Sequence, residues 1–164
     1  MGPYLQNLRS QVGSQRILLP GVRAIILNDR GDVLLQRRTD MPLWSLPAGS
    51  LELDETALEA LKREVLEETH LRVHKAEPMA LYSGRGEDFE YPNGDKVQSF
   101  AIAFIVREWT GQGEADGVEG SEVRFWPLDS LPDDLADIHA RTLDDFRRYQ
   151  GVFMISDCEP DRKE

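Results

Sequence analysis

The chain holds a single cysteine, Cys158, among 164 residues, so no internal disulfide can staple it. This points to a reducing compartment or to indifference to redox, and cytoplasmic is the location it suggests. Long apolar runs are missing as well. The most apolar stretch, Ile17 to Leu27, is cut by Pro20, Gly21 and Arg23, far short of the ~20 uninterrupted residues a membrane helix needs. Met1 to Ser10 lacks the basic start and apolar run of an export signal. Basic residues are in the minority: 19 Lys and Arg stand against 30 Asp and Glu, a net charge of −11. Such a field repels long nucleic acids and anionic membranes, which disfavours both as partners. Neither G-x-G-x-x-G nor G-x-x-x-x-G-K occurs, so the dinucleotide and P-loop readings lack their phosphate cradles.

What is present suits one soluble domain, with 40% hydrophobic and 30% charged residues. Pro3 to Val12 reads as a short helix. Val22 to Leu27 and Val33 to Arg38 read as strands joined by the turn residues Asn28 to Gly31, hence as a hairpin. Met41 to Leu53 reads as a structured loop, with Trp44 packing it. Thr56 to Thr69 is the strongest helix, since Thr56 and Glu59 have capping-box spacing. Ala57, Leu58, Leu61 and Val65 span roughly 100° of that helix and form its packing stripe. Leu71 to Ser83 reads as a strand. Asp88 to Tyr91 and Lys96 to Val106 flank Pro92-Asn93-Gly94-Asp95, a second hairpin signal. Val123 to Pro127 reads as a short strand after an acidic, glycine-rich loop. Ile138 to Tyr149 reads as a helix directing Ile138, Leu143, Phe146 and Tyr149 inward, and Ser156 to Glu164 as a frayed polar tail. This pattern implies an α/β fold with a mixed sheet and helices on both sides.

The unusual feature is Arg63-Glu64-Val65-Leu66-Glu67-Glu68 within the strong helix. Glu64, Glu67 and Glu68 are related by i, i+3 and i+4 and share one face, where like charges repel. They lie in the C-terminal half, where the helix dipole also disfavours anions. A hard divalent cation would compensate three oxygen ligands. The plainer reading is a solvated acidic face with Lys62 and Arg63 making surface pairs.

The surrounding residues decide between these readings. Gly49, Glu55, Arg63-Glu64, Val65, Glu67-Glu68 and Leu71 resemble the Nudix box, G-x5-E-x7-R-E-U-x-E-E-x-G-U with U aliphatic. Eight of its nine specified positions match, and His70 stands where the family has Gly. Leu46-Pro47-Ala48-Gly49 and Phe125 to Pro132 resemble the family's flanking segments. The resemblance implies a Nudix-type α/β/α sandwich at residues 17–155, with an N-terminal element at 1–16 and the tail at 156–164. It also implies hydrolysis of a nucleoside diphosphate linked to a group X, by water attack at phosphorus with Mg²⁺ or Mn²⁺.

By the same resemblance, Glu64, Glu67 and Glu68 would be metal ligands, and one of them or a later Glu the general base. A carbonyl of Ala48 or Gly49 would add a ligand, and Glu52 could bind the metal directly or through water. Arg63 would pair with Glu55 to fix the loop–helix junction. A further carboxylate is expected from the run Glu114, Asp116, Glu119 and Glu122; counting back from Phe125 favours Glu119. For the substrate, Arg37 or Arg38 could reach a phosphate, and Tyr82, Phe89 or Tyr91 could stack on a base or sugar; strand-end exposure and core packing are the alternatives. The expected substrate is a small nucleotide derivative such as a nucleotide sugar. Removal of oxidised nucleoside triphosphates, RNA decapping and a non-catalytic nucleotide-sugar sensor are the competing functions. The resemblance admits a homodimer, although no interface is visible in the sequence.

Overall fold

The computed structural model describes residues 2–115, 117 and 120–157. Its elements run in order α1 (Pro3–Val12), β1 (Ile17–Ile26), β2 (Val33–Arg38), β3 (Trp44–Ser45), β4 (Ala48–Ser50), α2 (Ala57–Thr69), β5 (Arg72–Ser83), a 3₁₀ turn (Arg85–Glu87), β6 (Asp88–Glu90), β7 (Lys96–Thr110), β8 (Gly120–Trp126), α3 (Asp137–Arg148) and β9 (Met154–Asp157). A mixed sheet has the order β4-β1-β7-β5-β9, with β6 on β7; a second, antiparallel sheet has the order β3-β2-β8. β1 and β7 run parallel, as do β5 and β9.

The expected hairpin of the first two strands does not form. Only the bridge Leu27–Val33 joins them, after which β1 enters the large sheet and β2 the small one. Ten register pairs to β7 hold β1, so its lateral hydrogen-bonding capacity is spent there and on β4. The expected loop before α2 contains β3 and β4, and β8 begins at Gly120 rather than Val123. Ser156, read as the start of a frayed tail, pairs with Tyr82 in β9. The β6–β7 hairpin forms as the sequence implies.

Alternation along β1 and β2 divides the core. Val22, Ala24, Ile26 and Leu34 pack with Ala60, Leu61 and Val65 of α2. Ile25, Val33 and Leu35 pack with Leu143 of α3 on the other side. On α2 the capping box of Thr56 and Glu59 is present, but Leu58 is exposed and Ala60 takes its place inward. The true stripe continues through Ala60, Leu61, Val65 and Glu68, so rotating the helix toward Leu58 would expose Ala60. On α3, His139 and Thr142 join Leu143 as buried residues, while Ile138 is half-buried. A third cluster seats α1 through Leu5 on Leu19 and Val97. Among the described residues no helix is long and apolar enough to cross a membrane.

His70 ends α2 in the left-handed region at φ 57°, donating its N–H to the Leu66 carbonyl at 3.0 Å. That conformation costs an L residue about 1–2 kcal/mol relative to glycine. His70→Gly is therefore expected to stabilise the fold by about 0.5–1 kcal/mol, partly offset by losing the ring nitrogen's 3.2 Å contact with the Glu114 carbonyl. A rise in the urea midpoint at constant m-value checks this.

Candidate active site

The carboxylates of α2 meet the edge strand β4 where β4 joins β1. Arg23 lies opposite Ala48 and Val22 opposite Gly49. Gly49 lacks a side chain, which leaves the space that the Glu64 carboxyl group occupies. A Cβ on it would overlap the Glu64 carboxyl group, carbon and both oxygens alike. Gly49→Ala must therefore displace Glu64, and a loss of kcat of at least tenfold at little cost in melting temperature is expected. Steady-state kinetics alongside a thermal melt would measure both.

Arg63 holds the junction. Its Nε donates to Glu55 Oε1 at 2.8 Å, and its Nη2 to Glu55 Oε2 and the Ser50 carbonyl, each at 2.9 Å. Its Nη1 donates to Glu64 Oε1 at 2.8 Å and Glu67 Oε2 at 3.2 Å. One guanidinium thus ties the loop, the helix start and two carboxylates together. The Arg63 hydrogen bonds hold the Glu55 carboxyl below its usual range, with the Glu52 N–H assisting at 3.0 Å.

Glu68 is different. It is 3% exposed and accepts from the Ala48 N–H at 2.9 Å. Burial pushes its carboxyl up to about 8, and the neighbouring Glu64 charge adds to this; a hydrogen bond from Gln36, the Ala48 N–H and the Arg38 charge oppose the rise. Among the described residues, no three acidic, His or Cys side chains are gathered closely enough to hold a metal as they stand. The donor set nevertheless suits a hard divalent cation: three carboxylates on one helical face, with Arg63 supplying a guanidinium between two of them.

The other expected residues fall variously. Ala48 and Gly49 lie against the Glu68 and Glu64 carboxylates. Glu52 accepts from the Tyr4 N–H at 2.9 Å, which turns its carboxylate to the start of α1. Arg38 forms a two-pronged pair with Asp40 at 2.8 and 2.6 Å and lies within the electrostatic reach of Glu68. Arg37 instead pairs with Asp134 at 3.3 Å over the Trp44 ring, on the α3 side of β2.

Tyr82 cannot stack on a substrate as expected. It is fully buried, with the Arg23 guanidinium over its ring and its hydroxyl donating to Asp145 at 3.0 Å. Phe89 packs on Tyr91 and the α1 cluster, so it too serves the hydrophobic interior. In the acidic run, Glu122 is exposed opposite Arg37 on β8. Glu114 is exposed, and its N–H donates to the Thr69 carbonyl at 3.1 Å. Asp116 and Glu119 lie outside the described residues.

Sequence reading missed two groups. Gln36 is 1% exposed and supports Glu68; its signal was a polar residue closing the run Val33-Leu34-Leu35. Arg23 is 2% exposed, pairs with buried Glu87, and donates to Thr142 Oγ1 at 3.0 Å. Arg141 reaches the same Glu87 carboxylate at 3.3 Å. Here the signal was a charge interrupting the buried strand β1. This network fastens α3 and the 3₁₀ turn to the strand beside Ala48.

A family model described as NUDIX domain matches residues 18–146. A Bacillus subtilis protein, named as a candidate 8-oxo-dGTP diphosphatase, is 31% identical over 127 residues, covering 77% of this chain and 78% of that protein. An ADP-ribose pyrophosphatase of Methanocaldococcus jannaschii is 31% identical over 129 residues, covering 77% and 72%. In fold, the NUDIX domain of Shewanella oneidensis NrtR, solved with ADP ribose, superposes with a TM-score of 0.66 at 19% identity over 90% of this chain and 98% of that one.

Proposed function

This chain belongs to the Nudix family of hydrolases, and from that premise we propose that it cleaves the diphosphate bridge of a nucleoside diphosphate derivative, with nucleotide sugars as the favoured class. Nudix hydrolases use divalent metal ions and act on small nucleotide substrates; Mg²⁺ or Mn²⁺ is the proposed cation here. The observation that carries the reading is the complete set Glu64, Glu67 and Glu68 on one face of α2, tied by Arg63 to Glu55. That density of like charge beside a buried carboxylate is costly to the fold unless a cation offsets it.

When bound, the cation would neutralise the diphosphate, orient it and lower the pKa of a water. Glu64, Glu67 and Glu68 would hold it, with a carbonyl of Ala48 or Gly49. The remaining work belongs to other residues of the chain. Arg63 and Glu55 hold the loop against the helix, so the carboxylates keep their spacing. Gln36 and the Ala48 N–H fix the Glu68 carboxylate in place. Arg38 supplies a cation on the same side of the molecule, suited to a phosphate oxygen. The proposed general base is one of the box carboxylates or Glu119.

Two relatives favour different substrates. The ADP-ribose pyrophosphatase supports a nucleotide sugar, and the candidate 8-oxo-dGTP diphosphatase supports an oxidised triphosphate. Product-resolved mass spectrometry over a nucleotide panel with Mg²⁺ and Mn²⁺ separates them. A nucleoside monophosphate plus a sugar phosphate is expected; release of pyrophosphate from triphosphates would favour the second reading. No turnover of any nucleotide with either metal would overturn both.

A further inference from the structure

We propose that the end of the large sheet left bare by α2 is the contact surface for a second copy of this chain, joined as a reversible two-fold dimer. The inference stands apart from the nucleotide reading, because it uses none of the carboxylates or the Arg63 network of the candidate active site.

Helix α2 covers only part of its face of the sheet. On β1, Val22, Ala24 and Ile26 are buried against it, yet Leu18, on the same side of the strand, is 61% exposed, and Pro20 is exposed too. β7 repeats the change: Phe104 and Val106 are buried, Ile102 is half-buried and Phe100 is 41% exposed. Register carries the bare region across the sheet. Val22 lies opposite Ile102, Ile102 opposite Leu81, and Leu81 opposite Ile155 of the edge strand β9. Paired residues point the same way, so Leu81 and Ile155 face the α2 side as well. Leu81 is half-buried and Ile155 is 68% exposed. In the next rows, Pro20 lies opposite Phe100 and Leu18 opposite Gln98.

Single exposed apolar side chains are ordinary on a protein surface, but a continuous group over four neighbouring strands is not. Rows about 7 Å apart cross strands about 4.8 Å apart, which makes a patch of roughly 15 by 15 Å before the side chains spread. Two such faces pressed together, with their rims, remove on the order of 1,000 Å² from water. That is the size at which reversible pairs form, below the ~1,600 Å² of a standard interface.

Charge selects a second copy as the occupant. Among the described residues the patch itself bears no charge, and its fringe is balanced. Asp88 and Glu90 of β6 lie opposite Gln98 and Lys96, on the same face, and Arg16 pairs with Asp88 at 2.6 Å. Two cations thus stand beside two anions. A fringe of one sign would suit an oppositely charged partner and repel its own copy. A balanced fringe permits self-contact in a chain whose net charge is −11, and that net charge keeps anionic membranes away. The Leu51 N–H donates to the Pro20 carbonyl at 3.1 Å, so the second copy lies beside the loop that leads to Glu52 and Glu55.

The test is sedimentation equilibrium of the full chain from about 1 to about 500 µM, on wild type, Leu18→Glu and Ile155→Lys, each with its melting temperature. Both side chains are largely exposed, so both variants are expected to fold. Wild type is expected to pass from monomer to dimer over that range. Each variant should weaken the dimer at least about 10²-fold, because a two-fold contact counts every substitution twice. The two variants introduce opposite charges, so a shared effect traces to the lost apolar contact. A dilution series of amide NMR spectra on wild type needs no variant, and its shifts should fall at residues 18–20, 98–102 and 154–156. The proposal is overturned if wild type stays monomeric throughout, whether or not it floats with phosphatidylcholine vesicles. It is equally overturned if folded variants dimerise within about threefold of wild type, if assembly runs on beyond the dimer, or if the shifts lie elsewhere.

Discussion

Glu68→Gln is expected to lower metal-dependent kcat by more than about 10²-fold while making the metal-free protein more stable at alkaline pH. The activity loss follows from the charge: removing groups that merely support a metal ligand already costs about 10–100-fold. The gain in stability follows from burial. The folded Glu68 carboxyl is raised to about 8 against an ordinary value of 4.5, so between those values the folded chain holds a proton that the unfolded chain has released. Stability linked to this group is therefore fully present below pH 4.5 and lost as pH rises toward 8. The amide that replaces the carboxyl has no proton to lose, and its oxygen can still accept from the Ala48 N–H. Melting curves of the metal-free proteins from pH 5 to 9 should converge at low pH and separate at high pH, with the variant the more stable. Equal activity of variant and wild type would remove Glu68 from the site.

Arg63→Leu carries the second large effect, and here stability and activity fall together. The variant loses the two-pronged pair with Glu55, the bond to the Ser50 carbonyl and the contacts with Glu64 and Glu67. Bonds to charged groups contribute about 1.5–3 kcal/mol each when buried, less where solvent screens them. We expect a net loss of about 2 kcal/mol and a fall in kcat/KM of at least 10²-fold as the loop detaches from the helix. The pH dependence has the opposite sign to that of Glu68. Glu55 is held below its ordinary value of 4.5 by Arg63, so its stabilisation is present above that value and lost as pH falls through the depressed one. The stability gap between wild type and Arg63→Leu should therefore shrink on acidification, which urea titrations at pH 7 and pH 3 would show.

The box was legible because its spacing is local: one loop and one helix carry Gly49, Glu55, Arg63, Glu64, Glu67 and Glu68, so helical periodicity alone places three carboxylates on a face. Chain-distant pairing was not legible. The turn Asn28 to Gly31 reads as a hairpin, yet the ten pairs between β1 and β7 come from segments some eighty positions apart and leave β2 to a second sheet. The expectation that Tyr82 stacks on a substrate failed for a related reason. Tyr82 belongs to a strand whose neighbours on both edges are remote in sequence, and only those neighbours reveal that it is enclosed. Arg23 and Gln36 did announce themselves, as polar residues in runs that otherwise belong inside. A polar residue in a buried strand needs a partner, and the sequence does not say that Arg23 meets Glu87 or that Gln36 meets Glu68.

The bond from the Tyr4 N–H to Glu52 gives α1 a role as an observer. Glu52 sits in the segment whose neighbour Glu55 is gripped by Arg63, so the first turn of α1 is bonded to the loop that enters the proposed metal site. Any rearrangement that draws the Glu52 carboxylate toward a cation leaves the Tyr4 amide without its acceptor. That single amide, forty-eight positions away in sequence, is thus a resonance in which the state of the loop can be followed without a label on the active site.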